Sequence, residues 1–154
     1  MIEKGEFMEI RELLPSEKER INDIAEYEEL IFGAGSIGRW TIMPFVRYGK
    51  VYVLLENEEI VSAAEIMRTF DTKDAYIYGF FTKEKFSGKG YGSVLLDFII
   101  NEMEKSGIEA VTLTVNPENK KAVNLYLKHG FEKAELLTEE YGENEDRLYM
   151  KLEL

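Results

Sequence analysis

Residues 75–100 read AYIYGFFTKEKFSGKGYGSVLLDFII, and the order of patterns inside them decides the fold. Ala75 to Thr82 is nearly all apolar and predicts a strand buried on both faces. Gly79 inside it marks a bulge or the close approach of a ligand. A glycine-rich turn at 87–92 follows. Tyr91, Val94, Leu95, Phe98, Ile99 and Met103 then recur at helical spacing until Gly107 ends the helix. Val111, Leu113 and Val115 alternate as the next strand. A strand, a helix and a second strand joined in this way require a right-handed parallel crossover.

Upstream, Lys50 to Glu56 and Ile60 to Met67 alternate around a tight turn near Asn57-Glu58, the pattern of a hairpin. Asp71-Thr72-Lys73-Asp74 turns the chain into the strand at 75–82. Before the hairpin, Met8 to Leu13 has a short strand pattern, which makes Met8 an alternative start. Next comes a helix, with Ser16 as cap and Glu19 reaching back to the Ser16 amide. Its stripe of Ile21, Ile24, Ala25, Glu28 and Ile31 breaks at Gly33-Ala34-Gly35-Ser36. Segment 37–49, with Trp40, Phe45 and Tyr48, reads as a second short helix or a lid. Downstream, a helix over 119–129 carries Ala122, Leu125 and Tyr126 on one face and stops at Gly130. Phe131 to Leu137 and Arg147 to Leu152 form a last strand pair around an acidic loop. The expectation is one α/β domain over residues 1–154: a mixed, mostly antiparallel sheet of about seven strands with helices on both faces.

The 154 residues contain no cysteine, which excludes disulfide frameworks, thiolate metal sites and cysteine nucleophiles. With 19 basic against 30 acidic residues, the net charge is −11. A polyphosphate backbone repels such a chain, so nucleic acid is not an expected partner. The same field draws cationic amines or basic peptides. Met1 to Glu6 lacks the apolar core of a signal peptide, and no stretch has the ~18 apolar residues of a membrane helix. A cytoplasmic location, no membrane partner and no metal are expected.

The loop Ser87-Gly88-Lys89-Gly90-Tyr91-Gly92 joins a strand to a helix N-terminus, where backbone amides and the helix dipole favour an anion such as pyrophosphate. It is not a P-loop, because Gly88-Lys89 is followed by Gly90 rather than Ser or Thr. Nor is it a Rossmann loop, which needs G-x-G-x-x-G and an acidic residue at the end of the next strand, where this chain has Val115-Asn116. Gly90-Tyr91-Gly92 after an apolar strand, followed one helix and one strand later by Asn119-x-x-Ala122-x-x-Leu125-Tyr126-x-x-x-Gly130-Phe131, resembles the GNAT superfamily of acyl-CoA-dependent N-acyltransferases. The resemblance is detailed over about 78–131, and the element order extends it across nearly the whole chain.

That resemblance implies the GNAT-type fold and acetyl-CoA as co-substrate. It implies that Phe80, Phe81 and Thr82 line the acyl-pantetheine arm through their backbones. Gly88, Lys89, Gly90, Tyr91, Gly92 and Ser93 would wrap the pyrophosphate, and Asn119 would hold the cofactor near the second helix. A strand amide near the thioester would steady the oxyanion. Tyr126 takes the family's place of the proton donor to the departing thiolate, a role that a phenol of pKa near ~10 suits. Ser87 departs from the pattern, since the family usually has Gln or Arg there, and weaker CoA binding is expected, offset by Lys89.

The proton acceptor for the amine is left open. Where some relatives have a Glu, this chain has Tyr76 and Thr114, leaving Glu65, Tyr76, Tyr78 or a water chain as substitutes. A Glu in a hairpin strand is ordinarily solvated. His129, the single histidine, is expected to serve the last carbonyls of its helix rather than catalysis. Trp40 and Phe45 stand as an acceptor-site wall. The expected reaction is acetyl transfer to a primary amine of a small molecule, polyamine or peptide, with Glu139, Glu140, Glu143, Glu145 and Asp146 favouring a cationic acceptor. The alternatives are a non-catalytic acyl-CoA sensor or partner module, and a nucleotide-dependent transferase. A monomer or a homodimer is expected.

Overall fold

The computed structural model describes residues 7–154; Met1 to Glu6, read above as lacking a leader's apolar core, lie outside the described residues. Seven strands form one sheet in the order β1-β2-β3-β4-β5-β7-β6. They are β1 (Met8–Glu12), β2 (Lys50–Glu56), β3 (Glu59–Arg68), β4 (Asp74–Thr82), β5 (Ala110–Val115), β6 (Glu132–Leu137) and β7 (Arg147–Glu153). Four helices, α1 (Lys18–Phe32), α2 (Gly38–Tyr48), α3 (Tyr91–Lys105) and α4 (Lys120–Lys128), interrupt them. β4 and β5 run parallel from Asp74↔Ala110 to Ile77↔Leu113, the crossover that the 75–115 pattern requires. Among the described residues no helix is long and apolar enough to cross a membrane.

The chain clusters into two compact units, residues 7–67 with 79–95 and residues 68–78 with 96–154. In the first, β1 pairs antiparallel with β2, and β2 with β3. Asn57 and Glu58 both take left-handed φ, 49° and 69°, as a two-residue hairpin turn demands if its twist is to match the strands. Ile21, Ile24 and Ala25 of α1 and Ile42, Phe45 and Val46 of α2 pack with Val51, Val53, Ala63 and Phe81 of the sheet. Phe45 therefore belongs to this core and not to an acceptor-site wall, while Trp40 is 91% exposed. The α1 stripe also ends earlier than its spacing predicts: Glu28 is buried and Ile31 is exposed.

The start of α1 is not the expected Ser16 capping box. Glu17 occupies the cap position, and its carboxylate accepts from the Leu14 amide (2.7 Å), from Arg11 (2.6 and 2.9 Å) and from Arg20 (3.0 Å). Those bonds, Arg11 foremost, hold its carboxyl down at about 2.

In the second unit, β7 lies between β5 and β6 and is antiparallel to both. β4 corrects a further expectation. Ala75, Ile77 and Phe81 are buried, but Tyr76 and Phe80 are half-buried and Tyr78 is exposed. Strand alternation sends only one set of side chains into the core. In α4 it is Val123 and Tyr126 that are buried, in place of the expected face of Ala122, Leu125 and Tyr126.

Candidate active site

The first unit holds the strand and the glycine loop. Lys83 donates its amide to the Val61 carbonyl (2.8 Å), and the Ser62 hydroxyl donates to the Phe81 carbonyl (2.6 Å). Residues 81 and 83 thus turn their backbone polar groups toward β3. By alternation, Phe80 and Thr82 turn theirs to the opposite edge, past the end of the ladder with β5. An extended ligand rich in amides can pair along such an edge. The strand's exit is clamped by α1: Lys83 pairs with Asp23 (2.9 Å), the Glu84 amide donates to the Tyr27 hydroxyl (2.8 Å), and the Tyr27 ring packs on Phe81 at 4.9 Å.

In the loop, Gly88 and Gly90 have φ of +77° and +86°, a region costly for any residue with a Cβ, and Gly88 faces open space. α3 begins immediately afterwards at Tyr91-Gly92-Ser93, so the loop delivers first-turn amides and the positive end of the helix dipole to one spot. Lys89 is exposed beside them. These groups fit a pyrophosphate: backbone donors, a cation and no carboxylate among residues 87–93. The Tyr91 side chain does a different job from its backbone. Its hydroxyl donates to the Glu56 carboxylate at the end of β2, and its ring meets Phe86 edge-on at 6.0 Å. This anchor was not read from the sequence, because Glu56 lies 35 residues away and shares no pattern with the loop.

Gly79 shows the close approach that its position suggested, but the approaching group belongs to the protein. A Cβ there would collide with Glu65 Oε2 and come within 2.9 Å of Glu28 Oε1. Glu65, expected in solvent, is 0% exposed, and Glu28 is 2% exposed. Neither forms an ion pair among the described residues. Glu28 receives the Ile37 amide at the start of α2, and beyond their mutual contact Glu28 Oε2 and both Glu65 oxygens have no hydrogen-bond partner. Burial, then the neighbouring Glu28 charge, pushes the Glu65 carboxyl well above the usual carboxylate range; burial raises Glu28 also.

The second unit holds Asn119, Tyr126 and the tyrosines of β4. The Asn119 side-chain oxygen caps α4 by accepting the Ala122 amide (3.2 Å), which leaves its amide nitrogen to donate elsewhere. Tyr126 is 6% exposed, with its ring 5.6 Å from Phe131, and burial pushes its phenol far up. Tyr76 shares a hydrogen bond with Thr114 (2.9 Å) and contacts Tyr141. Burial pushes it up to about 12, so at neutral pH it is a donor and not a base. His129 serves the last carbonyls of α4 through its backbone, its amide donating to the Tyr126 carbonyl (3.1 Å), while its Nδ1 lies 2.9 Å from the Asp97 carboxylate of α3. In the acidic loop, Asp146 accepts the Glu139 amide (2.8 Å), while Arg147 lies over the Tyr141 ring at 5.4 Å.

Known structures share this fold. Ard1 from Thermoplasma volcanium is 21% identical and superposes with a TM-score of 0.84, over 96% of this chain and 97% of that one. The ribosomal-protein-S18-alanine N-acetyltransferase from Escherichia coli is 22% identical, with a TM-score of 0.72 over 96% and 94% of the two chains. An acetyltransferase from Bacillus subtilis, solved in complex with CoA, is 17% identical, with a TM-score of 0.76 over 96% and 98%. At these identities the likeness establishes the fold. The family model of the GNAT acetyltransferases matches residues 8–131, spanning β1, the glycine loop and the α4 motif, and so the chain belongs to the acetyltransferase (GNAT) family.

Proposed function

We propose that this protein transfers an acetyl group from acetyl-CoA to a primary amine by direct attack. The observation that carries the reading is the loop at 87–92, whose left-handed Gly88 and Gly90 gather backbone donors at the start of α3, directly after a strand edge suited to a pantetheine arm.

Acetyl-CoA brings the activated acetyl thioester. Gly88 to Ser93 hold the pyrophosphate, Lys89 adds charge, and Phe80 to Thr82 align the arm, with Asn119 as a further donor. The acceptor ammonium loses one proton, and its nitrogen adds to the thioester carbonyl while a β4 amide steadies the oxyanion. As the C–N bond forms, the C–S bond breaks. Tyr126 gives its proton to the thiolate and regains one from the new amide nitrogen. The surplus of acid in the loop at 139–146 favours a cationic acceptor.

Calorimetry with acetyl-CoA, then thiol release with spermidine, glycinamide and a short peptide bearing a free N-terminus, tests the reading. Saturable binding with amine-dependent thiol release is expected. Absence of binding at millimolar acetyl-CoA removes the cofactor assignment, and binding without thiol release for any amine points to an acyl-CoA sensor instead.

A further inference from the structure

We propose that Glu28 and Glu65, lying together against Gly79, are the proton acceptor for the amine, a role that rests on the acetyltransferase reading above. Two carboxyls enclosed at 2% and 0% exposure, without an ion pair among the described residues, are a costly choice for a core position, where apolar side chains of the same size would serve. Glycine at 79 is what admits them, since any Cβ there would strike both. They therefore touch the backbone of β4 one residue before Phe80, in the segment that lines the acyl arm.

The surroundings define how the pair titrates. α1 contributes only Glu28, β3 only Glu65, α2 the uncharged Ile37 amide and β4 the uncharged Gly79. With no cation to neutralise them, two contacting carboxyls retain one proton between them. Glu65 carries it and Glu28, with its Ile37 donor, is the carboxylate. The acceptor R–NH3+ transfers one proton to Glu28. The neutral R–NH2 then attacks the thioester, and the pair, now holding two protons, returns one to water after product leaves. Glu28 Oε2 and both Glu65 oxygens have no partner outside the pair, so the pair keeps acceptor capacity for an incoming ammonium. Glu28 takes its backbone donor from Ile37, the residue that ends the α1–α2 connection. Tyr76, the other candidate, holds its proton at neutral pH.

The test uses isosteric amides. Glu28→Gln is expected to lower kcat at least 100-fold and to abolish the acid limb of the kcat/KM profile, with acetyl-CoA affinity within twofold. Glu65→Gln is expected to lower kcat about tenfold and to move that limb to higher pH, because Glu28 loses the Glu65 carboxyl proton whose hydrogen bond stabilises its charge. In the ligand-free protein, wild type should lose thermal midpoint as pH rises above the ordinary carboxylate range, and each variant, left with one buried carboxyl, should show a smaller fall. Should a variant fail to fold, wild type still decides. A limb fixed across ethylamine, 2-methoxyethylamine and glycinamide supports an enzyme group, and a limb that follows each amine's own basicity overturns it. Full kcat and an unchanged limb in Glu28→Gln also overturn the pair's role while leaving the acetyltransferase reading intact. Absent acetyl-CoA binding by wild type, or bound acetyl-CoA with no amine turned over, overturns both.

Discussion

Tyr126 keeps its proton because the fold removes water from it, and a phenol that holds its proton across the neutral range is available as a donor at every working pH. The same burial explains why an aromatic on an apolar helix face reads equally well as core: Tyr126 packs on Phe131 as a core residue would, and only its hydroxyl distinguishes the two roles. Tyr126→Phe removes that hydroxyl and little of the packing. We expect kcat to fall roughly 10- to 100-fold with acetyl-CoA affinity unchanged by calorimetry; full turnover would assign Tyr126 to packing. Glu65 shows the opposite gap between sequence and structure. Its neighbours in β3 alternate as in any hairpin, and nothing local reports that Glu28, 37 residues earlier, and Gly79, 14 residues later, complete its surroundings.

At the scale of elements, the 75–115 pattern made the crossover, its strand and its glycine loop readable, because each rests on spacing within a few residues. What stayed hidden depends on pairing across the chain. The open face of β4 follows from which elements cover it, and the start of α1 follows from Arg11 in β1 reaching Glu17. Ser16 had the residue type of a cap, yet α1 starts one residue later without a side-chain cap, the Glu17 carboxylate being taken by two arginines and the upstream Leu14 amide. The Glu17 carboxyl is held down at about 2, so its stabilising share is present above the ordinary range near 4.5 and is lost as pH falls toward 2. Glu17→Gln should therefore melt a few degrees below wild type at pH 6, and the gap should narrow steadily as pH falls from the ordinary carboxylate range toward 2, in thermal unfolding monitored by circular dichroism. A gap independent of pH would mean that Glu17 acts through shape alone.

At the scale of the molecule, the charge of −11 is unevenly spent. Asp146 is tied to the Glu139 amide and shapes the β6–β7 loop, whereas the other four acids of the loop extend from an exposed turn. Changing Glu139, Glu140, Glu143 and Glu145 to Gln, and leaving Asp146 in place, should raise KM for spermidine several-fold at low salt and flatten its salt dependence, since screening at 0.15 M ionic strength reaches only about 8 Å. Unchanged KM would leave those charges to solubility. β7 has another consequence. It follows β6 in the chain yet lies between β5 and β6, so β6 has no edge to join until β7 has been made. On the ribosome, the second unit must wait for its last strand while β1, β2 and β3 already have one another, and the order of synthesis becomes the order of folding.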